Sequence, residues 1–92
     1  MGDLAGKNGL IVGVANQRSL AWAIAKAADA SGARLTLSYA TERFSEKAQK
    51  LAATLTQPAQ VVPCDVTNDA EIDALFKAVA SEHGGLDFLV HG

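Results

Sequence analysis

Gly9-Leu10-Ile11-Val12-Gly13-Val14-Ala15-Asn16-Gln17-Arg18-Ser19-Leu20-Ala21 opens on an apolar run, turns at a glycine and passes into an alanine-spaced helical pattern. Residues 9–13 carry apolar or small residues on both faces, as a strand buried on both sides does, and this predicts a first, parallel strand. From Ser19 to about Ala30, alanines at 21, 25 and 28 recur at helical spacing and make a narrow face. Leu20, Ile24 and Ala27 are expected to widen that stripe, and Ser31-Gly32 to end the helix. A buried strand feeding a helix through a glycine turn is half of a βαβ unit, so the rest of the chain is read for its continuation.

The continuation is regular. Leu35 to Tyr39 alternates at period two with β-favouring residues and predicts strand two. Phe44, Ala48, Leu51 and Leu55 recur at helical spacing ahead of Pro58 and predict helix two. Gln60 to Cys64 predicts strand three. Asn68 is placed to cap a third helix, with Glu71 completing a box-like arrangement. Ile72, Leu75, Phe76 and Val79 form that helix's expected buried stripe, and Gly84-Gly85 its end. Leu86 to His91 predicts strand four. The pattern βαβαβαβ implies a doubly wound α/β fold with a parallel sheet. Pro63 cannot donate to a ladder on both sides, so strand three belongs at an edge. That selects the dinucleotide-binding (Rossmann) order 3-2-1-4 over the flavodoxin-like order 2-1-3-4, which would place strand three centrally. Residues 1–92 are therefore expected to be one unit, part of a dinucleotide-binding domain, with no internal repeat or linker.

Composition narrows the function classes. With 92 residues, 49% hydrophobic and 20% charged, the chain is long enough for one core and too apolar for a disordered segment. A net charge of -2 gives no basic field for nucleic acid. The single Cys64 cannot form an internal disulfide, which makes the cytoplasm the expected compartment. No apolar run approaches the roughly 20 residues of a membrane span, and the first residues carry no secretion or lipidation signal, so no membrane association is expected. Two histidines and one cysteine, widely spaced, assemble no metal site.

In the turn after strand one, free amides and a helix N-terminus would meet a pyrophosphate. Gly13 permits the sharp turn, Ser19 offers a hydroxyl and an amide, and Ala21 stands where helix and strand approach closely. The loop lacks the G-x-G-x-x-G spacing, and the same residues also suit an ordinary turn with a serine cap. Asp65 likewise suits either a ligand contact or a turn carboxylate. Local sequence alone does not separate these readings.

The spacing Gly13-x-x-x-x-x-Ser19-x-Ala21 after a first strand close to the N-terminus, preceded by Leu4-x-Gly6-Lys7, resembles the bacterial enoyl-acyl carrier protein reductases, divergent members of the short-chain dehydrogenase/reductase superfamily. Cys64-Asp65-Val66 after strand three and Asp87-Phe88-Leu89-Val90-His91 at strand four extend the resemblance over the whole chain. His91 followed by a small residue is similar to the enoyl reductase branch rather than to ordinary superfamily members. The resemblance implies that Gly13, Ala15, Ser19 and Leu20 contact the pyrophosphate and adjacent ribose of NAD, and that Asp65 and Val66 bracket the adenine. It also places Ala40 and Gly92 at the cofactor. An Asp there can accept from the adenine amino group while the next apolar side chain packs on the ring.

Position 40 departs from the common pattern, since members often carry Gln or a basic residue there. Glu42 is the nearest carboxylate for a ribose 2′-hydroxyl and Arg43 the nearest cation for a 2′-phosphate, so NADH is favoured and NADPH stays open. The tyrosine and lysine that complete proton transfer in the family, after strand four, have no counterpart; the only tyrosine is Tyr39 at the end of strand two. No catalytic residue is therefore assigned, and the chain is expected to be an N-terminal fragment, inactive alone and prone to self-association through its last strand. Three readings follow: the cofactor-binding part of an NADH-dependent enoyl reductase of fatty acid biosynthesis, acting on enoyl-acyl carrier protein and homo-oligomeric at full length; a stand-alone nucleotide-binding or assembly module; or part of another short-chain reductase. Cys64 is expected to be a buried filler, His83 a helix-end residue and Trp22 a core or interface residue. His91, at the end of strand four, is a candidate for lining the nicotinamide pocket.

Overall fold

A computed structural model describes residues 3–14 and 18–91, with His83 described in its backbone only. The elements run β1 (Asn8–Val12), α1 (Leu20–Ala30), β2 (Arg34–Tyr39), a short 3-10 turn (Glu42–Phe44), α2 (Ser45–Ala53), β3 (Gln60–Pro63), α3 (Asp69–His83) and β4 (Phe88–His91). All three strand pairings are parallel, in the order β3-β2-β1-β4. Pro63 thus lies on an edge strand, opposite Tyr39, and the ladder resumes one residue later where the Cys64 N–H donates to the Tyr39 carbonyl at 2.9 Å.

Two apolar layers enclose the sheet. Ile11, Leu35 and Leu37 point to one face, where Ala21, Trp22, Ala25 and Ala28 of α1 and Ala52 of α2 cover them. Leu10 and Val12 point to the other, against Cys64 and the α3 residues Leu75 and Val79. The alanine spacing of α1 lets it lie close to the strands, and Trp22 is core. Strand β2 alternates in sequence but is buried on both faces from Leu35 to Tyr39, because its small polar residues Thr36 and Ser38 sit under α3 rather than in water. The Thr36 hydroxyl donates to Gln60 Oε1 at 3.2 Å, whereas no donor or acceptor among the described residues meets Ser38 Oγ.

Several expectations are corrected. Leu20 and Ala27 do not widen the α1 stripe: Leu20 is 71% exposed at the first turn and Ala27 is exposed, whereas Ile24 packs against the core as expected, beside the alanine face and Trp22 that meet the sheet. Phe76 is not buried but 42% exposed, since α3 turns Leu75 and Val79 to the sheet and leaves Phe76 at the margin of that stripe. The Asn68 cap forms, accepting from the Ala70 and Glu71 amides at 3.0 and 3.2 Å, but the box does not close. Glu71 Oε1 instead accepts from the Asp65 N–H at 3.0 Å. Strand β4 begins at Phe88, two residues late, because Asp87 is occupied in anchoring it: its N–H donates to the Asn8 carbonyl at 2.8 Å and its Oδ2 accepts from the Asn8 N–H at 2.7 Å.

Candidate functional site

Parallel pairing puts the carboxyl ends of all four strands along one rim of the sheet. Gly13 leaves β1 there with φ of +94°, a left-handed backbone that a side chain would strain. The Gly13 and Val14 N–H groups donate back to the Ser38 carbonyl at 3.2 and 2.9 Å, which fixes how the chain departs from the sheet. Ala15 lies outside the described residues, as does Gly92. The chain re-enters at Ser19, the N-cap of α1, whose Oγ accepts from the Trp22 N–H at 3.2 Å. The capping reading of Ser19 is therefore realised, and it sets Ser19 and the exposed Leu20 at the positive end of the helix, beside the end of β1.

The neighbouring strand ends supply the rest. Ala40 is exposed just past β2, whereas Tyr39 is buried. Glu42 and Arg43 stand on the 3-10 turn, with the Arg43 guanidinium 5.5 Å from the centroid of the Phe44 ring. Past β3, Asp65 is an exposed turn carboxylate: its Oδ1 accepts from the Thr67 N–H at 2.9 Å and the Thr67 hydroxyl at 2.7 Å. These two bonds hold the Asp65 carboxyl below its ordinary range, so it is an anion at neutral pH. The adjacent Cys64 is buried, and burial followed by the Glu71 and Asp65 charges pushes its thiol up, which keeps it protonated and unreactive.

Val66 and His91 come together at an open apolar pocket of about 140 Å³, floored by Leu10 and Val12 and walled by Phe76 and Leu89. Thus Gly13, Ser19, Leu20, Ala40, Asp65 and Val66 share one rim, with Val66 and His91 in one pocket. Sequence reading missed Thr67 and Glu71 as the residues that hold Asp65. The Asp-x-Thr spacing of Asp65 and Thr67 is a signal for the first, while Glu71 is legible only as a helix-start residue. Among the described residues no group of histidine, cysteine and acidic side chains could hold a metal ion, and no helix is long and apolar enough to cross a membrane.

The family model described as Enoyl-(Acyl carrier protein) reductase matches residues 13–92. The enoyl-[acyl-carrier-protein] reductase [NADH] FabI of Bacillus subtilis (strain 168) is 43% identical over 90 residues, which cover 97% of this chain and 35% of that protein. Among solved structures, the Bacillus cereus enoyl-acyl carrier protein reductase with NADP+ and indole naphthyridinone superposes with a TM-score of 0.92 at 44% identity, over 97% of this chain and 35% of that one. The Anaplasma phagocytophilum reductase in complex with NAD gives 0.86 at 46% identity, over 94% and 32%. The chain spans about a third of the length of the relatives it matches.

Proposed function

The chain belongs to the enoyl-(acyl carrier protein) reductase family, and from that premise we propose that it forms the adenosine and pyrophosphate side of an NADH site in a cytoplasmic reductase acting on enoyl-acyl carrier protein. The supporting observation is the convergence, on one rim of a 3-2-1-4 sheet, of the left-handed Gly13 turn, the capped start of α1 and the Asp65–Val66 turn. The residues present fit a dinucleotide: a glycine where the chain must turn sharply, a helix N-terminus for negative charge, and an exposed carboxylate followed by the exposed apolar Val66 at the end of β3.

Gly13, Ser19 and Leu20, with Ala15, hold the pyrophosphate and its ribose in this reading. Asp65 accepts from the adenine amino group and Val66 packs on the ring. Ala40 and Gly92 contact the cofactor in this reading, and His91 lines the nicotinamide pocket. When bound, NADH would supply a hydride to the β-carbon of the enoyl thioester. The chain's own part is to bind and orient; Tyr39 is buried in the sheet and takes no part in proton transfer. Glu42 on the 3-10 turn would accept from the ribose 2′-hydroxyl, which favours NADH, and the Phe44 ring engages Arg43. The complete protein is a homo-oligomer.

Calorimetric titration of the full gene product with NADH and NADPH, beside a crotonyl thioester assay, tests the reading. Binding of NADH in preference to NADPH and consumption of the thioester are expected. Failure to bind either nucleotide overturns it.

A further inference from the structure

The turn between β3 and α3 holds Asp65 from several sides. The Asp65 N–H donates to Glu71 Oε1 at 3.0 Å, its carbonyl accepts from the Asn68 N–H at 2.9 Å, and its Oδ1 accepts from the Thr67 N–H and hydroxyl at 2.9 and 2.7 Å. No donor among the described residues reaches Asp65 Oδ2. Because Asp65 is exposed, water competes with these bonds and they add little to stability. What they fix is direction. An unrestrained Asp side chain populates several χ1 wells and a broad χ2. Two donors on one oxygen and a clamped backbone leave one arrangement, with the second oxygen open to a ligand. Freedom removed beforehand is not lost again on binding, so the restraint appears as affinity and selectivity rather than as fold stability.

We infer that Thr67 and Glu71 are positioning residues of the nucleotide site, holding Asp65 so that its Oδ2 accepts from the exocyclic amino group of adenine. The inference rests on the reading of Asp65 and Val66 as the adenine-binding pair. Glu71 acts from inside α3, tying the turn to the same helix whose Leu75 and Val79 seat it on the sheet. The Asp65 carboxyl, held below its ordinary range by the Thr67 bonds, is the ionised acceptor this role needs.

The test compares affinity for NADH with that for its hypoxanthine analogue, which carries a carbonyl oxygen where adenine has its amino group. In the full gene product NADH is expected to bind about tenfold tighter, the size of one charge-assisted hydrogen bond. Thr67→Val and Glu71→Ala are expected to shrink that preference to about threefold or less. Thr67→Ser, which keeps the hydroxyl, and Glu71→Gln, which keeps an acceptor oxygen, restore it. Both affinities are measured on the same sample, so a reduced folded fraction cancels from their ratio. Variants that keep the full preference, or that weaken both nucleotides equally, overturn the inference while the cofactor reading stands. Binding of NADH without any preference for adenine removes Asp65 from its role and the inference with it. An unsubstituted protein that binds no NADH refutes the cofactor reading itself.

Discussion

Ser38 and Cys64 sit on the α3 face of the sheet with their polar atoms buried, and each makes a sharp expectation. Ser38 Oγ is buried without a partner among the described residues, so its desolvation is not offset. Ser38→Ala is expected to hold or raise the melting temperature, read by thermal denaturation; a loss of about 2 kcal/mol would show a hidden partner. Cys64 has its thiol pushed above the ordinary 9.0, first by burial. A raised folded value means that the folded chain keeps the proton longer than the unfolded one. This contribution is complete below about pH 9 and is lost as the pH rises through the folded value. Iodoacetamide at pH 8 should therefore label Cys64 at least about tenfold more slowly in the native protein than in urea. At Gly32, φ is +95° and an added Cβ would lie 3.0 Å from the Ala5 Cα. Gly32→Ala should cost about 1–2 kcal/mol in denaturant titration and leave nucleotide affinity unchanged.

At the level of the elements, α3 carries the outcome. Its start was legible because an Asn cap obeys a local rule: the side chain must meet amides two and three residues on. Asn68→Ala should cost about 1 kcal/mol and speed hydrogen exchange at Ala70 and Glu71 before the rest of the helix. What the local rule could not give was the partner of Glu71. A capping box and a bond back to Asp65 need the same residue at the same spacing, and only the path of the chain between β3 and α3 chooses. The stripes of α1 and α3 show the same division. Helical spacing marked Ala21, Ala25, Leu75 and Val79 correctly, yet also admitted Leu20, Ala27 and Phe76, which lie at stripe margins where the width of the sheet decides burial.

For the whole molecule, strand order follows from one residue. Pro63 tolerates only an edge, and the sheet places it there. The opposite edge has no such guard: β4 pairs with β1 alone among the described strands, and Leu89 is 47% exposed beside Phe76 and Val66. The 92-residue chain is therefore expected to self-associate with rising concentration in sedimentation velocity, and Leu89→Lys to return it towards monomer. Sedimentation as a monomer at every concentration would mean that the short edge strand is too weak a template.

Local reading of the residues was enough for the alternation of strands and helices, the parallel order and the residues that turn or cap the chain at Gly13, Ser19 and Asn68. The alternation follows from hydrophobic periodicity, the order from Pro63, and the turns and caps from backbone sterics or bonds spanning a few residues. The burial of β2 on both faces, the pocket shared by Val66 and His91, and the hold of Glu71 on Asp65 emerge on folding alone. Those facts depend on which segments the sheet brings side by side, and contacts across the sheet leave no period in the chain that makes them.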